Sequence, residues 1–344
     1  MFPDDQLSKF LLDRHCETLT QLLAIEKSLN ARFYKMEKAV KSVILAAAAG
    51  EPLLLVGTPG TAKSLLIREF CNLLGMELKR KKGDELNEDY FEYLLTSFTE
   101  PGELFGHLDV SRLQQGGKYQ RVEEGMMQKA RVVYLDEVFN ASSAVLNSIL
   151  SVLNEGYLHS YGGVIDMKMI CLFGATNTFK NTQELKAFSD RFVMRCWLDN
   201  VSSTELGPLL ESGWLETFGA NTPPRYPKLL NDLKTFREDI GNATKAKTLK
   251  PDPNHKLIGG LSVIVEDLRR NGFSEMSNRR LVKMSRIMLI HALLRAVKEG
   301  HRAPTMGYAE LELIRDYFVD QQNDQLTYFF ETMRGHWQHE NPTG

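Results

Sequence analysis

The segment from Gly57 to Ser64 contains residue types that bind phosphate, since it reads Gly-Thr-Pro-Gly-Thr-Ala-Lys-Ser. The pattern is close to G-x-x-x-x-G-K-[ST], although Ala62 stands where glycine is usual. Because alanine is nearly as small as glycine, we expect a cradle of backbone N–H groups to form. Lys63 would then neutralise the β- and γ-phosphates of a nucleotide, and Ser64 would ligate Mg²⁺. An ordinary glycine turn between a strand and a helix is the alternative.

The residues expected to contact the nucleotide are those of the loop and the start of the following helix. They are Gly57, Thr58, Pro59, Gly60, Thr61, Ala62, Lys63, Ser64 and Leu65.

Polar side chains also follow two later apolar runs. Asp136 and Glu137 come after Val132–Leu135, and Asn177 comes shortly after the run 169–173. Ligands bind at the carboxyl edge of a parallel sheet. Asp136 would hold Mg²⁺ through water, Glu137 would polarise the attacking water, and Asn177 would hydrogen-bond the γ-phosphate or that water. The alternatives are a solvated strand end for the carboxylates and a turn-forming role for the asparagine.

Phosphoryl transfer spreads negative charge over the γ-phosphate oxygens, and an arginine can stabilise that charge. The candidates are Arg191, Arg195, Arg279 and Arg280. An arginine on its own is more often a surface ion-pair partner, so the position in the chain is what favours these four.

The elements that position these side chains can be read from the apolar pattern. Short continuous apolar runs are typical of strands buried on both faces. They occur at 53–56, 93–95, 132–135, 169–173 and 193–198. Helical spacing is found at 7–30, 32–48, 64–74 and 143–153. Strands that alternate with helices predict an α/β fold with a doubly wound parallel sheet.

The pattern changes at about Asn200, where we place a domain boundary. Residues 1–200 are the predicted α/β domain, residues 201–335 a small helical domain and residues 336–344 a tail. Ser202 and Glu205 have the spacing of a capping box that opens a helix. Loops are expected at 221–228 and 250–254, and helices at 255–271, 277–299 and 306–333.

The bulk composition limits the function classes. The formal net charge is −2, which gives no electrostatic footprint for nucleic acid or an anionic membrane. The start of the chain is acidic and no apolar run is long enough to span a bilayer. The cysteines Cys16, Cys71, Cys171 and Cys196 are scattered, so we expect buried, reduced thiols and a cytoplasmic protein.

The order of these motifs resembles the AAA+ ATPases, and among them the MoxR family. The phosphate loop is followed by the acidic strand end, the Asn-ended strand, Asp190-Arg191-Phe192 and Ser277-Asn278-Arg279-Arg280. The segments most similar to the family's RavA subgroup are 91–106, 117–119, 124–125, 135–139, 144–150, 154–155 and 190–199. The likeness covers residues 30–320. RavA-like proteins carry a further region after the lid. We therefore expect the likeness of this chain to extend to the motor and lid only.

The resemblance implies an AAA+ P-loop domain with a parallel central sheet, followed by a helical lid. It implies ATP and Mg²⁺ as cofactors. It assigns Walker A to Lys63 and Ser64, and Walker B to Asp136 and Glu137. It assigns sensor 1 to Asn177 and the arginine finger to Arg191. Sensor 2 is assigned to Arg279, with Arg280 as the fallback. Since the finger would reach the nucleotide of a neighbouring subunit, the resemblance implies a homo-oligomer, expected to be a hexameric ring.

Two inserts and a partner are also implied. Residues 106–130 correspond to an insert in helix 2, and residues 156–168 to a hairpin before sensor 1. Gly162-Gly163 independently supports the hairpin. Tyr157, His159 and Tyr161 would contact a substrate in a central pore, or the hairpin would be a plain surface feature. MoxR proteins commonly act with a partner that carries a von Willebrand factor A domain.

Three functions compete at this point. The first is an ATPase that remodels or activates a partner protein. The second is a nucleic-acid motor or a ring that activates a nuclease, which the near-neutral charge disfavours. The third is a scaffold that binds ATP and turns it over slowly.

Overall fold

A computed structural model of the protein describes residues 5–76, 78, 88–109, 121–160, 163–180, 182–218, 223–249, 252, 255–322 and 324–340. Backbone contacts divide the chain into two compact units. The α/β unit consists of Gly50–Phe192 and Leu198–Pro227, and the helical unit consists of Met1–Ala49, Val193–Trp197 and Lys228–Gly344. This grouping differs from a single division near residue 200, because the two N-terminal helices pack on helices from the C-terminal part of the chain. A division into motor and lid at that point stays a prediction.

The regular elements are numbered in chain order. The strands are β1 (Leu53–Gly57), β2 (Tyr90–Leu94), β3 (Val132–Asp136), β4 (Tyr157–Ser160), β5 (Gly163–Asp166), β6 (Cys171–Thr176) and β7 (Met194–Leu198). The helices are α1 (Asp5–Arg32), α2 (Glu37–Ala49), α3 (Lys63–Leu73), α4 (Pro101–Phe105), α5 (Ser143–Glu155), α6 (Gln183–Ser189), α7 (Leu206–Phe218), α8 (Leu229–Lys245), α9 (Lys256–Arg270), α10 (Asn278–Glu299), α11 (Tyr308–Tyr317) and α12 (Asp324–Glu340).

Five strands form one sheet in the order β2-β3-β6-β1-β7. The pairs β1–β6, β3–β6 and β2–β3 are parallel. Every residue of β1 and β6 is buried, which confirms the prediction made from continuous apolar runs. Because β6 lies between β1 and β3, the loops that follow these three strands leave the same edge of the sheet side by side.

Aromatic contacts hold helices and turns against this sheet. The ring of Phe70 on α3 meets Phe173 on β6 edge to face, with centroids 5.8 Å apart. On the segment after α6, Phe192 packs against Phe188 at 5.4 Å, and both are buried. A Cβ added to Gly174 would lie 2.7 Å from the Phe192 ring, so only glycine lets β6 approach that ring.

Two short paired strands lie within residues 156–168, where a hairpin before sensor 1 is predicted. Strands β4 and β5 pair antiparallel, with Tyr157 opposite Asp166 and Ser160 opposite Gly163. The side chain of His159 meets Tyr157 edge to face and lies 2.9 Å from a carboxylate oxygen of Glu155. Tyr161 and Gly162 lie outside the described residues, and contact with a substrate stays a prediction.

The insert predicted at 106–130 is described at its two ends, while residues 110–120 lie outside the described part. Leu108 and Arg121 form an isolated antiparallel bridge. The backbone N–H of Val122 donates to His107 O at 2.9 Å. The two ends of the segment therefore come together beside α4.

The helical unit buries its core between α1, α2, α8 and α10. The buried side of α1 includes Leu11, Leu19 and Ile25, as the helical spacing predicts. The guanidinium of Arg237 on α8 donates to the carbonyl oxygens of Ala47 and Ala48. These carbonyls lack helical partners at the end of α2, so the cation stabilises that helix end.

Three expectations about the C-terminal part differ from the structure. The helix expected at 306–333 is two helices, α11 and α12, because Phe318 and Val319 are fully buried and the N–H of Asp320 donates to Phe273 O at 3.0 Å. Helix α8 was not predicted, although Leu229, Leu233 and Phe236 occupy buried positions at helical spacing. Helix α12 continues to Glu340, so residues 336–340 of the predicted tail are helical, while residues 341–344 lie outside the described part.

Two smaller expectations are corrected. The segment Ser203–Glu205 is a 3₁₀ turn, and the Ser202 hydroxyl donates to the Glu205 side chain at 2.9 Å, so the capping box is not formed as predicted. Cys16 is exposed, whereas the other three cysteines are buried. None of the helices in the described part combines the length and apolarity needed to cross a bilayer.

Candidate active site

Lys63 is the first residue of α3 and lies under the phosphate loop, only 7% exposed. Its ammonium donates to Gly57 O at 2.6 Å, to Thr58 O at 3.1 Å and to Asn177 Oδ1 at 3.1 Å. Burial lowers the pKa of Lys63, while the negative charges of Asp136 and Glu137 oppose that shift. The ammonium is therefore held at the loop by oxygen atoms and lies close to the acidic strand end.

The backbone of the loop departs from the conformation most residues prefer. Gly60 has φ of +87° and Ala62 has φ of +55°. The glycine usual at position 62 is therefore favoured by its freedom to adopt positive φ, and small size is the lesser requirement. Alanine in this region costs about 1–2 kcal/mol. The loop keeps its predicted place between β1 and α3 at that local cost.

Gly57 is needed for a different reason, because Leu198 lies too close to it to leave room for a side chain. A Cβ at this position would lie 2.6 Å from Leu198 O and 2.8 Å from Leu198 Cβ. Below 3.0 Å two such atoms must move apart, so any larger residue would displace the end of β1 or the segment beside it. The start of the loop is thus fixed by its neighbour.

The first turn of α3 is open to an anion. Its N-cap is Ala62, which has no side-chain oxygen to accept a hydrogen bond from the helix. The first N–H groups of a helix lack helical partners and carry a partial positive charge, which suits a phosphate. Ser64 is half-buried in this turn, while Thr58, Pro59 and Gly60 are exposed.

Asp136 ends β3, and Glu137 follows with φ of +54°. The N–H of Glu137 donates to Asp136 Oδ1 at 2.9 Å. One oxygen of the Glu137 carboxylate accepts a close hydrogen bond from Asn177 Nδ2, and the other accepts from Asn140 Nδ2 at 3.2 Å. Both oxygens of this carboxylate are therefore held by amides.

Asn177 joins the two charged groups. It follows β6, the strand between β1 and β3, and its amide oxygen accepts from Lys63 while its amide nitrogen donates to Glu137. The structure thus brings together three residues predicted from separate parts of the sequence. Asn140 was missed, because the sequence shows only an asparagine in a turn, a common role for that residue.

An ion of Mg²⁺ would find suitable donors here. It prefers oxygen ligands, and the hydroxyl of Ser64 and the carboxylate of Asp136 supply them. Asp136 Oδ1 accepts a backbone N–H, which fixes the orientation of its carboxylate. These residues fit the ion that the sequence predicts.

The four candidate arginines have different surroundings. Arg191 follows α6 in the α/β unit, is half-buried and directly precedes Phe192, whose ring packs against Phe188. In the portion of the chain that the structure describes, no contact joins its side chain to Lys63 or Glu137. It is therefore not part of the group around Asn177.

Arg195 and Arg280 are buried within the helical unit, each with a side chain about 2% exposed. Both guanidinium groups pair with Asp320. Arg280 also donates to Phe318 O at 2.8 Å. Arg279, one residue earlier, is exposed. Of the two predicted sensor 2 candidates, Arg279 is the one whose side chain is accessible.

Comparison with known proteins agrees with the fold and with the MoxR resemblance. Residues 20–235 match a family model described as the MoxR domain in the MoxR-vWA-beta-propeller ternary systems. In solved structures, a candidate ATPase from Cytophaga hutchinsonii has a similar fold, with a TM-score of 0.63 and 15% identity over 94% of this chain and 96% of that one. The predicted fold, a parallel central sheet with flanking helices and a helical C-terminal region, is confirmed.

Three curated relatives are similar in sequence, and the match spans only part of the length of each. An uncharacterized protein of Methanocaldococcus jannaschii is 29% identical over 90% of this chain and 73% of its own length. A second uncharacterized protein of that organism is 34% identical over 53% of this chain and 45% of its own length. A structural protein of Acidianus two-tailed virus is 30% identical over 57% of this chain and 31% of its own length.

The substitution Gly57→Ala tests the close approach at the start of the loop. We expect it to lower the free energy of unfolding by about 2 kcal/mol, because the new methyl group must displace Leu198. It should also weaken nucleotide binding, measured by titration with a fluorescent ATP analogue. The matched control is Gly207→Ala on α7, where an added Cβ meets open space. Equal stability and affinity in both variants would show that the loop tolerates a side chain at position 57.

Proposed function

The chain belongs to the MoxR family of AAA+ ATPases, and we propose that it hydrolyses ATP in a ring of identical subunits to remodel or activate a partner protein. The observation that carries this proposal is the hydrogen-bonded chain Lys63–Asn177–Glu137 at the carboxyl edge of the sheet. A cation that can bind phosphate and a carboxylate that can activate water are the two groups that ATP hydrolysis needs most directly.

In the proposed mechanism Lys63 exchanges its bonds to the loop carbonyls for bonds to the β- and γ-phosphates. The N–H groups at the start of α3 bind phosphate oxygens, and Ser64 and Asp136 would hold Mg²⁺. The bound ion would neutralise charge on the phosphates. Glu137 orients the attacking water and accepts its proton, and Asn177 keeps the carboxylate facing the γ-phosphate.

The finer assignments are part of the same proposal. Arg191 acts on the nucleotide of a neighbouring subunit in a hexameric ring, and Arg279 acts as sensor 2 from the lid. The family model concerns MoxR domains of ternary systems with von Willebrand factor A and β-propeller components. We therefore propose a partner with a von Willebrand factor A domain. Placement in the RavA subgroup and in the cytoplasm rests on the sequence motifs and the cysteine pattern.

The substitution Glu137→Gln tests the catalytic assignment. The amide cannot accept a proton, so we expect kcat to fall at least ~100-fold. The affinity for ATP should stay within about threefold, because Lys63 and the loop are unchanged. The measurements are steady-state ATPase assays and nucleotide titrations.

The control for this variant is Glu211→Gln, the same change at an exposed position on α7. Unchanged turnover in Glu137→Gln would remove this residue from catalysis. Strong stimulation of the unmodified protein by DNA, lost at high salt, would favour a nucleic-acid motor over a protein-remodelling ATPase.

A mixing experiment tests whether Arg191 acts between subunits. Arg191→Ala alone should lower turnover at least ~100-fold, because the transition-state charge loses its partner. Mixing Arg191→Ala with Glu137→Gln subunits should restore turnover, since a Glu137→Gln subunit still presents Arg191 to its neighbour. Absence of recovery, in mixtures shown to exchange subunits, would contradict a role in trans.

The partner proposal is tested with a purified protein that carries a von Willebrand factor A domain. We expect it to bind this chain more tightly with ATP than with ADP, because nucleotide state would set the exposed surface of the ring. Binding by Glu137→Gln, which would hold ATP unhydrolysed, should be the tightest. Equal or absent binding in every nucleotide state, measured by calorimetry, would contradict the proposal.

A further inference from the structure

Glu137 has a second amide partner that neither the motifs nor the family resemblance assigned. We propose that Asn140 is a positioning residue for the Glu137 carboxylate and that Lys180 in turn fixes Asn140. The proposal rests on the role of Glu137 in ATP hydrolysis and names a further residue of the same site.

The backbone brings Asn140 back to Glu137. Glu137 is in the left-handed region and is followed by the 3₁₀ turn Val138–Asn140. The N–H of Asn140 donates to Glu137 O at 2.8 Å, which closes the turn. In this geometry the Asn140 side chain returns to the Glu137 carboxylate, with Nδ2 3.2 Å from Oε2.

Two donors on two oxygens restrict the carboxylate more than one donor can. With Asn177 alone, the group would be held at Oε1 and free to rotate about that contact. The second bond, from Asn140 to Oε2, fixes the plane of the carboxylate. Each oxygen has two lone-pair sites, so one amide bond on each leaves capacity to accept a water proton. Asn140 therefore restrains the base and leaves it able to react.

Lys180 determines which way the Asn140 amide points. Its ammonium donates to Asn140 Oδ1 at 3.3 Å and to Phe139 O at 3.5 Å. An ammonium group can only donate and an ionised carboxylate can only accept. Between Lys180 and Glu137, the amide must turn its oxygen to the lysine and its nitrogen to the carboxylate.

The same logic applies on the other side of Glu137. Asn177 lies between Lys63, which donates to its oxygen, and Glu137, which accepts from its nitrogen. Each lysine–asparagine pair forms one arm, Lys63 with Asn177 and Lys180 with Asn140, and the two arms meet at the Glu137 carboxylate. The arm through Asn177 includes the phosphate-binding lysine, and the arm through Asn140 ends at an exposed lysine outside the loop.

The first variant, Asn140→Ala, removes one arm. We expect kcat for ATP to fall roughly 10-fold, because misplacing a reacting group by a fraction of an ångström is costly in rate. The KM for ATP and the unfolding temperature should stay unchanged, since Asn140 is exposed and contacts no phosphate-loop residue among those described. The control is Asn242→Ala, at an exposed position on α8, which should leave kcat unchanged.

The isosteric variant Asn140→Asp gives a measurement that would not change if the role of Asn140 were purely structural. The new carboxylate keeps its contact with Lys180 and faces Glu137, with Asp136 as the other nearby acid and Lys63 and Lys180 as the nearby cations. Two facing carboxylates favour protonation of one of them. The acidic limb of the pH–kcat profile should therefore shift to higher pH, and kcat should fall below that of Asn140→Ala.

Lys180→Ala tests the second step of the proposal. It should lower kcat less than Asn140→Ala does. The double variant Asn140→Ala, Lys180→Ala should fall no further than Asn140→Ala, because Lys180 acts through Asn140. Additive losses would overturn the role of Lys180.

The outcomes separate this proposal from the proposed function. If Glu137→Gln is inactive while Asn140→Ala and Asn140→Asp keep the kcat and pH profile of the unmodified protein, the role of Asn140 is wrong and the ATPase assignment stands. If the unmodified protein does not hydrolyse ATP in any assembly state, the proposed function and this inference both fail.

Discussion

One constraint organises the candidate site: β6 lies between β1 and β3, and all three run in the same direction. Their carboxyl ends therefore meet at one edge, although the residues that follow them are far apart in sequence. The amide of Asn177, after the middle strand, is within hydrogen-bonding distance of Lys63 on one side and Glu137 on the other. A different strand order would separate the cation from the carboxylate, and no choice of side chains could bring them back together.

Much of this arrangement could be predicted from the sequence, because a strand buried on both faces has to be apolar along its length. The runs at 53–56 and 132–135 revealed the strands, and the polar residues after them revealed the site. Contacts that depend on turn geometry could not be predicted. Asn140 reaches Glu137 only because the backbone takes a left-handed step followed by a 3₁₀ turn. The positive φ at Ala62 likewise could not be predicted, because the size of alanine alone suggested that it could replace glycine without cost.

The candidate arginines show the limits of motif position. Chain position made all four arginines candidates, and the family resemblance then preferred Arg191 as the finger and Arg279 as sensor 2, with Arg280 as the fallback. Burial distinguishes them. Ion pairing with Asp320 holds Arg195 and Arg280 inside the helical unit, and Asp320 is in the segment that separates α11 from α12. The same acidic residue thus accounts for two buried cations and accompanies a helix break that the apolar pattern did not reveal.

Five non-glycine residues in the described part have positive φ, and Ala62 and Glu137 are two of them. Such conformations are maintained only when the surrounding structure enforces them. These two residues flank the place where Lys63 and Glu137 are joined, so two of the five strained positions adjoin the proposed site. A change to glycine would relieve the backbone strain at position 62, whereas the same change at position 137 would remove the carboxylate. Of these two positions, only position 62 can therefore lose its backbone strain without the loss of a group that the proposed reaction uses.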